Sequence, residues 1–295
     1  MARNWKIGAL CTIVLAITAT PSMAQEVRLF ESGKLLATGG VSNLEGAGGG
    51  GISTWALISG YGTKDAIGGN AHYTYTNLSD FMVHSTGASI GLYDRVELSY
   101  NHLFFDTGST GARLGLGNGF TFEQDVVGVK VRVLGDAIYD QDSFLPQISV
   151  GAQFKTVNHN NIIRAIGAKN HEGVDYYIAA SKLFINESVL ANATLRLTKA
   201  NQLGILGFGG DKNNSYQPEF EGSLAYLISR KFAIGGEYRT KPRNLGFTKE
   251  DDWKTLYAAY FFNKNASLTL AYVNLGTIAT VKNQQGVYLS AQIGF

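Results

Sequence analysis

The last nine residues of the chain, VYLSAQIGF over 287–295, decide the fold. Apolar residues occupy every second position, and polar or small residues fill the positions between them. The apolar positions are Val287, Leu289, Ala291, Ile293 and the terminal Phe295. Successive side chains of a β-strand point to opposite faces, so this alternation predicts a strand with one apolar and one polar face.

The same period of two recurs along most of the chain. Clear examples are the ranges 95–101, 127–133, 147–155, 189–199, 219–227, 232–241 and 267–275. A soluble β-sandwich would also alternate, but its outward polar face would be richly charged. Only 16% of the residues are charged, whereas an average soluble chain carries about 25%. The pattern therefore predicts an all-β chain that forms a transmembrane antiparallel β-barrel.

The connections between the predicted strands alternate between short and long. Counting back from Phe295 places strands near 285–295, 266–276, 252–262, 231–241, 217–228, 188–201, 174–184, 146–157, 125–135, 95–106, 80–92 and 68–76. This gives about 12 strands, with 10 or 14 as alternatives, and residues 55–62 are a spare candidate strand. We expect short periplasmic turns and long extracellular loops, the latter near 107–124, 158–173, 203–216, 242–251 and 277–285.

The C-terminal pattern also carries information about assembly. It resembles the last strand of Gram-negative outer-membrane proteins, in which alternating apolar residues and a terminal Phe are recognised by the barrel-assembly machinery. The resemblance implies that Val287, Leu289, Ala291, Ile293 and Phe295 form the assembly signal. The expected surroundings are outer-membrane lipid and lipopolysaccharide.

The N-terminal residues 1–24 have the features of a cleaved signal peptide. Basic residues precede an apolar run over 7–19, and Ser22 and Ala24 give the small-x-small pattern before the predicted cleavage site. The run is too short to span a bilayer, which takes about 20 residues. Cleavage removes Cys11, the only cysteine, and leaves 23 basic and 23 acidic residues. A net-neutral chain has no electrostatic surface for nucleic acid, so that class of partner is excluded.

We divide the remaining chain into a Gly-rich segment over 25–66 and a barrel over 67–295. The glycines at 39–51 are not followed by the Lys-Ser/Thr pair of a phosphate-binding loop. Two interpretations stay open for this segment. It is either a flexible periplasmic lead or a small plug packed into the lumen, where glycine allows close approach of the backbone to a crowded wall.

Charged residues on the inward faces are the candidate pore-lining residues. They are Arg95, Glu97, Lys130, Arg132, Lys155, Arg196, Glu219, Glu221, Glu237 and Arg239. They could form a cross-strand ion-pair network that fills a narrow lumen, or a charged constriction that selects solutes. We expect that replacing Lys130 by Ala leaves folding nearly intact, because a lumen position is solvated or paired.

The histidines give little support for catalysis. The five of them (His72, His84, His102, His159 and His171) form neither an HExxH motif nor a paired metal spacing. A lipase of the outer-membrane type would need a Ser and a His on the lipid-facing wall, but His84 and Ser85 are adjacent and point to opposite faces. We therefore predict no enzyme activity, no metal and no cofactor.

Two segments resemble an uncharacterised family of proteobacterial outer-membrane proteins. They are LLATGGVSNLEGAGGGGISTWALISGY (Leu35–Tyr61) and STGASIGLYDRVELSY (Ser85–Tyr100). The resemblance implies the fold and the outer-membrane location but brings no activity or site residues. The first functional hypothesis is a porin or channel for small solutes. The alternative is a non-conducting structural or accessory barrel with a plugged lumen, and a lipase-type enzyme is a distant third.

Overall fold

The computed structural model describes residues 28–29, 33–39 and 41–295. The predicted signal peptide lies outside these residues. Three two-residue strands come first: β1 (Arg28–Leu29), β2 (Val41–Ser42) and β3 (Gly48–Gly49). Twelve long strands follow: β4 (Ala66–Leu78), β5 (Met82–Leu92), β6 (Val96–Asp106), β7 (Thr121–Leu134), β8 (Gln147–Val157), β9 (Glu172–Phe184), β10 (Val189–Thr198), β11 (Gln217–Ser229), β12 (Phe232–Arg239), β13 (Trp253–Phe261), β14 (Ala266–Ile278) and β15 (Val281–Gly294).

The twelve long strands close into an antiparallel barrel. Each strand from β4 to β15 pairs with its neighbours in sequence, and β15 pairs with β4 through the register Tyr288↔Thr76. Because twelve is even, β4 begins and β15 ends at the same end of the barrel. The prediction of an all-β barrel of about 12 strands is confirmed. No helix among the described residues is long and apolar enough to cross a membrane.

The outer wall is apolar because the outward residues of neighbouring strands are aligned by the register. Leu98 of β6 pairs with Val129 of β7, and these side chains are 48% and 41% exposed. The intervening residues point inward and are buried, as Glu97 and Lys130 illustrate. Such a surface would be unfavourable in water and suits the lipid-facing band of an outer-membrane barrel.

The C-terminal strand has the predicted orientation. Val287, Leu289 and Ile293 are exposed on the outer wall, and Ala291 is exposed between them. The backbone of Phe295 completes the closure, because its carbonyl accepts the amides of Tyr61 (3.0 Å) and Gly69 (2.8 Å). The role of this strand in assembly stays a prediction.

Most strand connections follow the expected pattern of short and long. At the end where the chain enters, the turns are short except for residues 135–146; at the other end lie the loops 107–120, 158–171, 199–216 and 240–252. The long loop predicted at 277–285 is wrong. β14 and β15 continue to Ile278 and from Val281, so residues 279–280 alone connect them. The polar residues at 282–285 resemble a loop in sequence, but they extend the hairpin beyond the apolar band.

The long loops fold over the mouth of the barrel. They contain helices α1 (Gly108–Arg113) and α2 (Asn160–Ala165) and a 3-10 turn at Asn201–Gly204. Apolar loop residues such as Ile163, Leu203 and Leu245 are buried in one cluster with inward residues at the strand ends. The loops therefore form an apolar cap on the mouth.

Candidate functional site

Residues 41–62, here called the lumen segment, lie inside the barrel. The segment enters and leaves at the end where β4 begins, because Tyr61 contacts Phe295 and Lys34 donates to the carbonyls of Ile58 and Gly60. Its tip at residues 43–47 points toward the loop-covered mouth. Almost every residue of the segment is buried. Residues 55–62, the spare candidate strand, form no barrel strand.

Local sequence explains the shape of the tip. The Asn43 side chain accepts the amide of Glu45 (3.0 Å), and the Asn43 amide donates to the carbonyl of Ala47 (2.9 Å). Gly46 has a positive φ of 87°, which glycine adopts without strain. Further along, a Cβ atom on Gly50 would lie only 1.9 Å from the Glu237 carboxylate. The glycines therefore allow the backbone to reach the charged side chains of the wall.

Three glutamates of the wall bind backbone amides of the lumen segment. Glu237 accepts the amides of Gly51 (2.9 Å) and Ile52 (3.0 Å), and it also accepts the Ser53 hydroxyl. Glu97 accepts the amides of Gly48 and Ser59, both at 2.9 Å. Glu221 accepts the amide of Thr54 at 2.7 Å. Charge-assisted hydrogen bonds are stronger than neutral ones, so the three glutamates hold the backbone of the segment at several points along its length.

Lys130 provides the complementary contact to backbone carbonyls. Its ammonium donates to the carbonyls of Gly48 (2.9 Å) and Leu57 (2.8 Å) and pairs with Glu97 at 3.0 Å. Replacing Lys130 by Ala would leave Glu97 without its buried cation and remove a donor from the carbonyls of Gly48 and Leu57, of which Gly48 still accepts the Trp55 amide at 3.1 Å. The expectation of a nearly neutral substitution stays a prediction, and the buried pair argues against it, because removing one partner of a buried ion pair typically costs about 3–5 kcal/mol.

Six charged side chains form a closed ring of ion pairs across the lumen, here called the ion-pair ring. In order around the ring they are Glu45, Lys155, Asp175, Arg196, Glu221 and Arg239. The nitrogen–oxygen separations include 2.5 Å from Lys155 to Asp175, 2.5 Å from Arg196 to Glu221 and 2.6 Å from Arg239 to Glu45. Three cations therefore balance three carboxylates.

The ion-pair ring is buried, and its Glu45 stays charged. The side chains of Lys155 and Asp175 have no exposed surface, and that of Arg196 is 1% exposed. A water-filled pore would expose them, so the lumen is filled at this level. Burial by itself raises the pKa of Glu45, but Arg239 and Lys155 outweigh burial and hold that pKa well below its usual value. Glu45 therefore remains a carboxylate between its two cations.

The predicted pore-lining residues divide into two groups. The structure brings eight of them to the buried interior: Glu97, Lys130, Arg132, Lys155, Arg196, Glu221, Glu237 and Arg239. Glu219 is half-buried at the mouth and accepts the Thr240 hydroxyl. Arg95 does not join the interior; it is exposed in the turn before β6 and donates to the carbonyl of Arg132 at 3.0 Å. Their lining of a conducting pore stays a prediction.

Sequence reasoning missed two members of the ion-pair ring. Glu45 lies in the Gly-rich segment, where it is the only charged residue over 41–62. Asp175 lies at an inward position of β9, next to an outward Tyr176. Glu45 could have been found as the single charged residue in a Gly-rich segment. Asp175 could have been found because the alternation along β9 places it on the inward face.

A separate cavity of about 60 Å³ lies at the mouth, between the loops and the tip of the lumen segment. Its lining is almost wholly apolar. The lining residues are Leu44, Thr76, Leu78, Phe81, Val83, Phe105, Thr107, Thr110, Leu114, Leu116, Phe122, Ile162, Ile166, Gln202, Leu203, Ile205, Leu206, Phe247, Trp253, Leu275, Ile278 and Ala279. Its apolar lining contrasts with the polar and charged interior below it.

The outer wall does not assemble a hydrolase triad within the described residues. His102 points outward, and its Nδ1 lies 2.8 Å from Asp125. Its cross-strand neighbour on β5 is Thr86, and no hydrogen bond joins the two side chains in the part of the chain that the structure describes. His159 and His171 likewise belong to no group of three or more potential metal ligands over the described ranges.

These features define the class of the protein: an outer-membrane β-barrel of porin-like architecture whose lumen holds its own N-terminal segment. The sequence matches the family described as "Protein of unknown function (DUF3034)" over residues 38–292. The chain belongs to this family, which confirms the resemblance of Leu35–Tyr61 and Ser85–Tyr100 to a family of unknown function. No curated protein matches the sequence significantly.

Solved structures of other barrels are similar in fold. The KdgM porin has a TM-score of 0.51 at 12% identity, over 77% of this chain and 99% of that one. The COG4313 outer membrane channel from Pseudomonas putida F1 has a TM-score of 0.45 at 14% identity, over 78% and 95%. An active-site variant of the outer membrane phospholipase A from Escherichia coli has a TM-score of 0.45 at 10% identity, over 82% and 93%. At 12% identity, the similarity to the KdgM porin shows a common fold and nothing about function.

Proposed function

We propose that the protein is an outer-membrane channel for small solutes, with the lumen segment as its gate. In the described conformation the segment fills the lumen, so conduction requires it to move. The observation that carries the proposal is the ion-pair ring, in which one carboxylate comes from the segment and five charges come from the wall. The ring connects the lumen segment to the barrel wall through ion pairs. Water can solvate these charges once the segment leaves.

The charged side chains of the interior support a second conformation in which the lumen segment has left and water fills the lumen. Replacing a buried ion pair by apolar side chains of similar volume is often neutral or stabilising, because desolvation offsets the Coulomb attraction. A permanently dry barrel therefore gains little stability from the six charges of the ring. A lumen that hydrates when the segment leaves needs polar walls, and the same charges then set the selectivity for solutes.

Single-channel recording tests the proposal with a matched pair of variants. Glu237→Gln weakens the contact with the segment, because Glu237 binds three of its residues. Glu219→Gln is the control, since Glu219 contacts Thr240 of the adjoining loop and leaves the segment untouched. We expect more frequent openings for Glu237→Gln, and a native frequency of openings for Glu219→Gln. Absence of current in every folded variant would contradict a channel.

The second candidate is a non-conducting structural or accessory barrel. It is favoured by the density of contacts between segment and wall, since Glu97, Lys130, Glu221 and Glu237 all bind its backbone. In this case the segment is a permanent core, and the recordings described above stay silent. The porin-like fold supports the first candidate without excluding this one.

The proposed location is the outer membrane, reached after cleavage of residues 1–24. The apolar outer wall supports contact with lipid and lipopolysaccharide, and the alternating C-terminal strand supports recognition by the barrel-assembly machinery. The short turns then face the periplasm and the loop-covered mouth faces outward. The lumen segment is thus inserted from the periplasmic side.

A further inference from the structure

The ion-pair ring takes one carboxylate, that of Glu45, from the lumen segment and its other five charges from the wall. The Glu45 Oε2 atom accepts from Nη1 of Arg239 at 2.6 Å, and its Oε1 atom accepts from Nζ of Lys155. Each carboxylate oxygen therefore has its own cation. These cations lie on β12 and β8, which are four positions apart in the barrel, so the carboxylate bridges two separate parts of the wall.

Both cations also have partners in the wall. Nζ of Lys155 lies 2.5 Å from Asp175, and Nε of Arg239 lies 3.5 Å from Glu221. Without Glu45, the five wall members of the ring carry three positive and two negative charges. The wall alone therefore forms a site with one excess positive charge and two donors for the two oxygens of one carboxylate. An unbalanced buried charge is costly, so this site favours an anion.

We propose that Glu45 occupies, in the closed conformation, the binding site of a small solute that bears a carboxylate group. When the lumen segment withdraws, the carboxylate of the solute binds Lys155 and Arg239 and restores three carboxylates to three cations. The bound solute then prevents Glu45 from returning, so it is both the transported molecule and the ligand that opens the channel. This role rests on the proposed function, because the segment must move. The affinity of the site rests on charge-assisted hydrogen bonds, which are the strong ones in proteins.

Chemical rescue tests the site without requiring conduction. In a refolded chain that begins at residue 25, Glu45→Ala keeps Cβ and removes the atoms that acetate can replace. The midpoint of unfolding in urea is titrated with acetate, with acetamide as the uncharged isostere and chloride as the control for ionic strength. A ligand that binds only the folded chain raises the folded-to-unfolded ratio about 11-fold at ten times its Kd. We expect this saturable rise with acetate alone, and none in the native chain, whose site is filled.

Two double variants test whether acetate binds in the ring. Combining Glu45→Ala with Lys155→Met leaves two cations and two carboxylates, so the response to acetate should be lost. Combining Glu45→Ala with Lys254→Met is the matched control, because Lys254 is exposed on the outward face of β13 and the ring keeps its charges. The response to acetate should persist in this control.

Thiol labelling measures whether a carboxylate displaces Glu45 from the native ring. Ser42 is buried while the segment is seated, so labelling of Ser42→Cys reports the population in which the segment has left. Acetate that competes with Glu45 should raise the labelling rate about 11-fold at ten times its Kd for the open conformation. Acetamide and chloride should leave the rate unchanged.

The proposal is overturned if acetate, acetamide and chloride act equally on folded Glu45→Ala, or if the rescue persists with Lys155→Met. It is also overturned if acetate leaves the labelling rate of the native ring unchanged, and this measurement decides the question should Glu45→Ala fail to fold. Failure of the proposed function has a different signature. Rescue and faster labelling in barrels that pass no current would contradict the channel but not the carboxylate site.

Discussion

Replacing Glu45 by Gln removes the only charged residue of the lumen segment while keeping its shape. The native carboxylate pairs with Lys155 and with Arg239, the latter at 2.6 Å, inside a ring that has no net charge. The variant ring holds three cations and two carboxylates. Breaking a buried ion pair on one side costs about 3–5 kcal/mol. Each 1.4 kcal/mol is tenfold in an equilibrium, so the segment should leave its site roughly 100- to 4,000-fold more often.

Cysteine labelling of a chain that begins at residue 25 measures this equilibrium, because residues 25–295 contain no cysteine. Ser42 and Ser59 are buried at the two ends of the segment, and their hydroxyls have no hydrogen-bond partner among the residues that the structure describes. Ser42→Cys or Ser59→Cys therefore adds a reporter thiol without removing a hydrogen bond. When closing is faster than labelling, the labelling rate is proportional to the open population.

We expect Glu45→Gln to accelerate labelling at both reporters by about 100-fold or more, with Glu219→Gln as the matched control that leaves both rates unchanged. Unchanged rates would refute the reasoning that the ion-pair ring holds the segment. Acceleration at only one of the two reporters would refute movement of the segment as a unit.

Three further predictions follow from the wall and the loops. Val129→Arg places a charge on the lipid-facing band and should lower the free energy of unfolding in urea by roughly 2–4 kcal/mol; a native value would place Val129 away from lipid. Deleting Phe295 removes its bonds to Gly69 at the barrel seam and, by the predicted assembly signal, should sharply lower heat-modifiable protein in outer-membrane fractions; unchanged amounts would contradict that signal. Burial raises the pKa of Glu250 to about 7, so the folded loops bind its proton more tightly than the unfolded chain and lose stability as the pH rises from about 4.5 through about 7. Proteolysis of loop 199–216 should accordingly be faster at pH 7.5 than at pH 5, and Glu250→Gln should remove that difference.

The barrel wall could be predicted from the sequence because its determinants are local. A period of two fixes which residues face lipid, and a strand must be about ten residues long to cross. This reasoning found all twelve strands and the inward side of Lys130 and Glu237. It failed at residues 277–285, where the hairpin of β14 and β15 extends into solvent and polar residues no longer mark a loop.

The sequence left a lumen plug open as one of two interpretations, but the contacts of the plug could not be predicted because they join residues far apart in sequence. Glu45 and Arg239 are 194 positions apart, and nothing in the Gly-rich stretch indicates which wall residues it meets. The segment has no regular period, since its backbone bonds to side chains of the wall in place of a neighbouring strand. For the same reason the inward folding of loop 199–216, seen at Leu203, has no signal in local composition.

The most direct test of gating records current through a single barrel that carries Ser59→Cys while a charged thiol reagent is present. A lumen segment that opens and closes the pore predicts modification only during open periods, because the side chain at 59 is buried when the segment is seated. The attached group should then prevent reseating and leave the channel permanently open, whereas the cysteine-free chain continues to close. Thiol modification without any change in current would contradict the proposal that the lumen segment is the gate.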